Sequence, residues 1–303
     1  MAIKSVRVQI NGVWSNLSLS NGKWTGSITA PAVTSYNMAG GYYPVKIEVT
    51  NDAGTVVTKD ATDATLGTAL RLVVKETIKP VITLTSPSSG ALVTNNKQPI
   101  KFTVTDETGG SGVKLSSVTL KIDNTTYTAT SSGMASVGIT NGYEFTFTPQ
   151  TTLADGSHSI TINAADNDGN AATAVSATFK VDTVPPELSI TSPQTGLITN
   201  SASVTVSGKS NDATSSPVTV TIKLNGVSQG TVTVASDGTF SKALTLAEGS
   251  NSIVVTSTDS AGKSTSITLT VKLDTSVPKI SSIILSPNPA NTSAGVAITV
   301  EVS

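Results

Sequence analysis

The chain has no cysteine in its 303 residues. That excludes a disulfide-stapled framework, a thiolate metal site and a thiol nucleophile. It has a single histidine, His158, in the run Asp155-Gly156-Ser157-His158-Ser159. An exposed polar residue at the start of a strand is expected there, not a general base. No Gly-x-Ser-x-Gly elbow, phosphate loop or His-rich zinc spacing occurs, so no catalytic residues are assigned. Charged residues make up only 13% and the net charge is −1, which leaves no basic field for nucleic acid or anionic lipid. No stretch approaches the roughly 18 apolar residues of a membrane span. Met1 to Ile10 runs straight into an alternating strand, without the apolar core and cleavage site of a signal peptide. Neither nucleic acid nor membrane is expected as a partner.

Aromatic residues are also scarce, at 4% of the chain. Any core must therefore be built mainly from Val, Ile and Leu, and the polar positions are dominated by Ser and Thr. β-branched side chains fit a pleated, half-buried surface, so the expected class is all-β. No segment shows a helical period.

One phrase recurs. Val181-Asp182-Thr183-Val184-Pro185-Pro186-Glu187 returns as Leu273-Asp274-Thr275-Ser276-Val277-Pro278-Lys279, and a looser copy is Lys75-Glu76-Thr77-Ile78-Lys79-Pro80-Val81. Returns of roughly 90 to 105 residues match one immunoglobulin-type β-sandwich with its linker. The partition expected is 1–77, 78–183, 184–275 and 276–303. The best-marked unit has seven short alternating strands between Leu188 and Leu273, with turns at Asn225-Gly226, Asp237-Gly238 and Asp259-Ser260-Ala261-Gly262. In the first unit, Val6 to Gly12 aligns with Val220 to Gly226, Trp24 with Phe240, and Val45 to Gly54 with Ile253 to Gly262. That unit therefore has no counterpart of the first two strands, A and B, while residues 276–303 are an A–B pair alone. Each linker proline disfavours helix in the residue before it, so short extended junctions and an elongated string of sandwiches are expected.

The Asp-Thr-x-x-Pro linkers and the turn Asp259-Ser260-Ala261-Gly262-Lys263 resemble the immunoglobulin-like repeats of large bacterial surface adhesins. They also resemble the immunoglobulin-like domains carried by structural proteins of tailed phages. The resemblance runs from about residue 78 to the end and more weakly through Tyr43 to Gly54. It implies a non-enzymatic structural or adhesive protein of a virion tail or tail tip, assembled in the bacterial cytoplasm. The alternative is the stalk of a cell-surface adhesin that binds glycan or protein; an accessory region of a glycan hydrolase is a third reading.

Two ligand sets are expected from the residues. Asp166, Asp168 and Asn170, with Asp182 in the following linker, offer hard oxygens for calcium near a junction, although Asp, Asn and Gly are also what tight turns require. Trp14, Tyr42 and Tyr43 offer ring faces that could stack on glycan, although a tryptophan could equally fill a core; Trp24, in the place of Phe240, is expected inside. Finally, residues 276–303 would expose apolar strand faces. They call for either head-to-tail complementation by another copy or continuation of the repeat array.

Overall fold

The computed structural model describes residues 2–303. Apart from short 3₁₀ turns at Ala39–Gly41, Gly67–Leu70 and Leu115–Ser117, its regular elements are β-strands. The chain divides into two compact units, Met1–Val181 and Asp182–Ser303.

The second unit contains the simplest sandwich. Strand Ser203–Asn211 lies between Glu187–Ser192 and Thr239–Thr245 in one sheet. The facing sheet runs Leu197–Thr199, Ser264–Leu273, Gly249–Thr258, Thr219–Leu224, Val227–Val232. Alternation turns Val204, Val206, Val220, Ile222, Ile253, Val255, Leu269 and Val271 inward to one core. Between Asn225 and Gly226 both backbone φ values are positive, at 50° and 82°, the geometry of the two-residue hairpin turn that matches strand twist.

The sandwich of the first unit repeats this plan with one added strand. Met134–Ile139, Gly142–Phe147, Ile100–Thr105 and Val81–Ser86 form one sheet; Thr125–Thr128, Thr119–Ile122, Gly156–Asn163, Val175–Val181 and Ala91–Val93 form the other. Ala91–Val93 and Leu197–Thr199 occupy the same place, each pairing in parallel with the last strand of its sandwich. The first strand thus serves one sheet and its continuation serves the other.

Residues before this sandwich form a five-stranded sheet in which Val13–Asn16, Ile3–Ile10, Tyr43–Asn51 and Val56–Lys59 follow one another and Arg71–Leu72 also pairs with Tyr43–Asn51, with a separate hairpin Ser18–Ser20/Lys23–Thr25. The aligned strands pair in the same register in all three domains: Ile10 faces Val45, Ile122 faces Ile160, and Leu224 faces Ile253. Trp24 corrects the expectation drawn from Phe240. It is half-buried, because its hairpin pairs with no other strand, whereas the strand of Phe240 is zipped to Ser203–Asn211 and Phe240 is 4% exposed. At the other end, Ile280–Ser286 and Ala297–Val302 pair with each other, leaving Ile283, Ile284, Leu285, Ile298, Val300 and Val302 exposed.

Candidate functional site

The site is built from a turn that occurs three times. Asp166, Asp259 and Asn51 each open a loop in which their backbone N–H donates to the carbonyl four residues on (Asn170, Lys263 and Thr55), and a side-chain oxygen accepts the N–H of that same residue at 2.8–2.9 Å. A glycine with positive φ closes each loop, at Gly169, Gly262 and Gly54. Asn51 makes the turn with an amide. The turn itself therefore needs one acceptor oxygen, not a carboxylate.

Where the turn residue is an acid, two more acids come to it. Glu76, Asp106 and Asp166 place one carboxylate oxygen each within 4.8 Å of one another, and so do Asp182, Asp212 and Asp259. The members correspond by position: a linker acid, an acid just after the second strand, and the turn acid. Glu76 precedes Asp106 by as many residues as Asp182 precedes Asp212. In each set the outer oxygens hold the loops. Asp106 accepts the Gly112 N–H at 2.7 Å, Glu76 accepts that of Ser111, Asp182 accepts that of Val184 at 3.2 Å, and Asp212 accepts those of Thr214 and Ser215 at 2.7 and 2.6 Å. The other oxygens of Glu76, Asp106, Asp182 and Asp259 are buried without a hydrogen-bond partner. Gly110 lets its loop close over the first set, since a Cβ there would lie 2.7–2.8 Å from the carboxylates of Glu107 and Asp106.

This grouping corrects the expected calcium set. Asp166 belongs to a cluster, but its neighbours are Glu76 and Asp106. Asp168 instead accepts hydrogen bonds from the Thr34 hydroxyl and the Glu76 N–H, tying the first domain and its linker to the second. Asn170 donates its amide to Asp166 and to the Glu76 carbonyl. Asp182 joins Asp212 and Asp259. The spacing signal missed Glu76, Asp106, Asp212 and Asp259 as partners; the repeated linker phrase and the repeated turn were the available clues.

Like charges this close repel. At 4.8 Å the cost is ~3.5 kcal/mol per pair for an effective dielectric near 20. Burial, reinforced by the charges of Glu76, Asp166 and Asp168, raises the Asp106 carboxyl above its ordinary value despite the Gly112 hydrogen bond. Among the described residues no lysine or arginine forms an ion pair with any of the six acids. Chemically, each set offers hard, buried oxygen ligands.

Residues 80–162 match the family model described as a bacterial Ig domain, and residues 186–275 match glucodextranase, domain B. Both matches fall on the sandwiches that carry the acid clusters. The chain is a tandem protein of bacterial immunoglobulin-like domains. Similar solved structures include one of a 1.5-MDa bacterial ice-binding adhesin, at 22% identity over 89% of this chain and 86% of that one, with a TM-score of 0.37. The fibronectin(III)-like modules of Clostridium thermocellum CbhA match at 17% over 64% and 94%, with a TM-score of 0.34. Immunoglobulin domains 1–5 of Sidekick-1 match at 11% over 98% and 59%, with a TM-score of 0.42. No curated protein sequence matches the chain.

The aromatic set expected to face glycan is divided among other tasks. Tyr43 is 4% exposed and donates its hydroxyl to the Val33 carbonyl at 3.1 Å. It stands as far before Asn51 as His158 does before Asp166 and Asn251 before Asp259. That even spacing puts all three on the inward face of equivalent strands. They are buried polar plugs on equivalent strands, so Tyr43 is not a stacking platform. Trp14 and Tyr42 are half-buried and each carries an arginine over its ring, Arg7 at 4.3 Å and Arg71 at 4.8 Å. Tyr42 lines a cleft of about 550 Å³ with Gln9, Met38, Lys46 and Asp60, while Trp14 lines a different one with Ile28 and Pro31.

His158 likewise corrects the expectation of an exposed residue, being 8% exposed. Its Nδ1 bonds Asp123 Oδ2 at 2.7 Å and its Nε2 bonds the Ala154 carbonyl at 2.8 Å. Both partners are acceptors, and only the doubly protonated ring donates to both. Burial works against that charge, but the Ala154 and Asp123 bonds outweigh it and raise the pKa above its ordinary value. Stability from this contact is complete below the unfolded histidine value of about 6.5 and is lost as pH rises through the raised folded value. The melting temperature of the 78–183 domain is therefore expected to fall as pH rises above about 6.5. His158→Gln should flatten that slope. A wild-type slope that persists in the variant would refute the assignment, as read by calorimetry across pH.

Proposed function

We propose that this chain is a non-enzymatic structural or adhesive array of Ig-like domains, carried on the tail or tail tip of a phage particle. The observation that carries the reading is the repetition itself: one sandwich plan recurs with the same linker acid, turn and buried plug. Repetition of a whole domain extends reach and multiplies surface; it adds no new chemistry to any one copy. The only histidine is buried with both ring nitrogens engaged, which supports a non-catalytic role. The likeness of the linkers and turns to phage immunoglobulin-like domains supports the virion location. Labelled antibody on the intact source particle, seen by negative-stain microscopy, tests it. Label on the tail is expected; label confined to the bacterial envelope would replace the virion with a cell-surface stalk. The match of residues 186–275 to a domain of a glucan-degrading enzyme favours a second reading, an accessory module that contacts polysaccharide. Retardation of the chain in gels containing soluble glucan tests that reading.

The same array has a proposed partner in a second copy of itself. The hairpin of residues 276–303 exposes apolar side chains on paired strands and corresponds to the two strands for which the first domain has no counterpart. Addition of this hairpin to the first domain of the next copy would cover both. Deletion of 276–303 is then expected to abolish self-association and to change the fluorescence of Trp14 and Trp24. Unchanged mass and spectrum would exclude it.

A further inference from the structure

We propose that each Ig-like sandwich binds one divalent cation of the calcium class, one held by Glu76, Asp106 and Asp166 and the other by Asp182, Asp212 and Asp259. Three independent observations support the two sites. The first is the orphaned oxygens: Asp106, Asp182 and Asp259 are 8%, 1% and 6% exposed, and each keeps an unpartnered oxygen beside the other acids of its set. Buried polar atoms without partners are uncommon in a settled fold, and buried carboxylates need a counter-charge. The second is recurrence. The same three structural positions carry acids in two domains whose sequences otherwise differ, down to a glutamate in one linker where the other has an aspartate.

The third is the internal control in the first domain, where Asn51 makes the same turn. Turn geometry accounts for one oxygen of Asp259 and leaves its second, charged oxygen without a partner, while the second oxygen of Asp166 accepts only the Asn170 amide at 2.8 Å, a bond the turn at Asn51 does without. All the ligands are oxygens, which points to calcium or magnesium, not a transition metal. They come from a linker and two separate loops, which suits the adaptable shell of calcium better than the strict octahedron of magnesium.

Bound there, the ion would fasten the segment leading into each sandwich to the two loops at that end. It lies at the rim of the core, so it should order the segment without being needed for the fold. Each sandwich has its own apolar core in addition.

The test uses the full chain stripped with chelator, calcium chloride as the only probe, and titration calorimetry with native mass spectrometry as readouts. Wild type is expected to take two ions with unchanged strand signal in far-UV circular dichroism. Asp106→Asn and Asp259→Asn should each take one, with the affinity of the altered site reduced ~10-fold or more. These variants keep an acceptor for the loop N–H, as Asn51 does, so they should fold. Without calcium each should melt above wild type, because a repelling charge is gone; with about 5 mM calcium the order should reverse. No binding at that concentration by a folded chain overturns the proposal, as does retention of both ions by both variants. A single ion lost in only one variant overturns the site in the other domain.

Discussion

Phe102→Ala is expected to remove ~3–5 kcal/mol from the 78–183 sandwich, enough to leave it largely unfolded at moderate temperature. Phe102 is fully buried and stacks on Phe145 across the Ile100–Thr105/Gly142–Phe147 pair, with ring centroids 4.9 Å apart and planes 12° from parallel. Phe147 continues the cluster against Tyr127 at 4.2 Å. Truncation deletes both the transfer term and the stacked partner, and a strand clamped on both sides cannot collapse into the gap. The core of the 184–275 sandwich shares no residue with this one. Calorimetry should therefore show one transition shifted far down and another in place. Val137→Ala, on an exposed side chain of the same sheet, is the control and should change little. A shift of less than about 1 kcal/mol for Phe102→Ala would mean that the stacked cluster is not the centre of the core.

Asn251→Ala is expected to cost the 184–275 sandwich ~2–4 kcal/mol. Its side chain is fully buried and saturated: Oδ1 accepts from the Asn225 amide and the Ala247 N–H, both at 3.0 Å, and Nδ2 donates to the carbonyls of Ala247 at 2.7 Å and Gly249 at 3.1 Å. Alanine leaves these groups without partners inside the protein, which costs more than never having made the bonds. Asn225 in turn accepts the Ser252 N–H at 2.8 Å, so the turn after Thr219–Leu224 should loosen as well. Urea unfolding measures the loss, with exposed Ser250→Ala expected to stay within about 0.5 kcal/mol of wild type. An effect no larger than that control would show that water replaces the amide.

Asn251 also illustrates what patterning could and could not reveal. Ile253 and Val255 are legible as inward residues from alternation alone, because apolar burial is a period-2 property of the strand itself. Asn251, Ser257 and Asp259 share that inward parity and are buried. A polar residue in an inward position has no meaning until its partners are known. The partner of His158 is Asp123, and that of Asn251 is Asn225; both partners lie on a neighbouring strand's turn, far away in sequence.

By itself the sequence determined the all-β class, the repeat, the inward rows and the hairpin turns, since all of these follow from residue type and short-range spacing. The three-residue strands Ala91–Val93 and Leu197–Thr199 escaped it, being too short to show alternation and existing only by parallel pairing with a distant strand. Asp166 was legible as an acid in a turn, and Asp182 as an acid in a linker. Only the tertiary structure sorted them into different clusters. A ligand set is a convergence of side chains from a linker, a loop after the second strand and a loop before the last. No local rule of spacing encodes where three such segments meet.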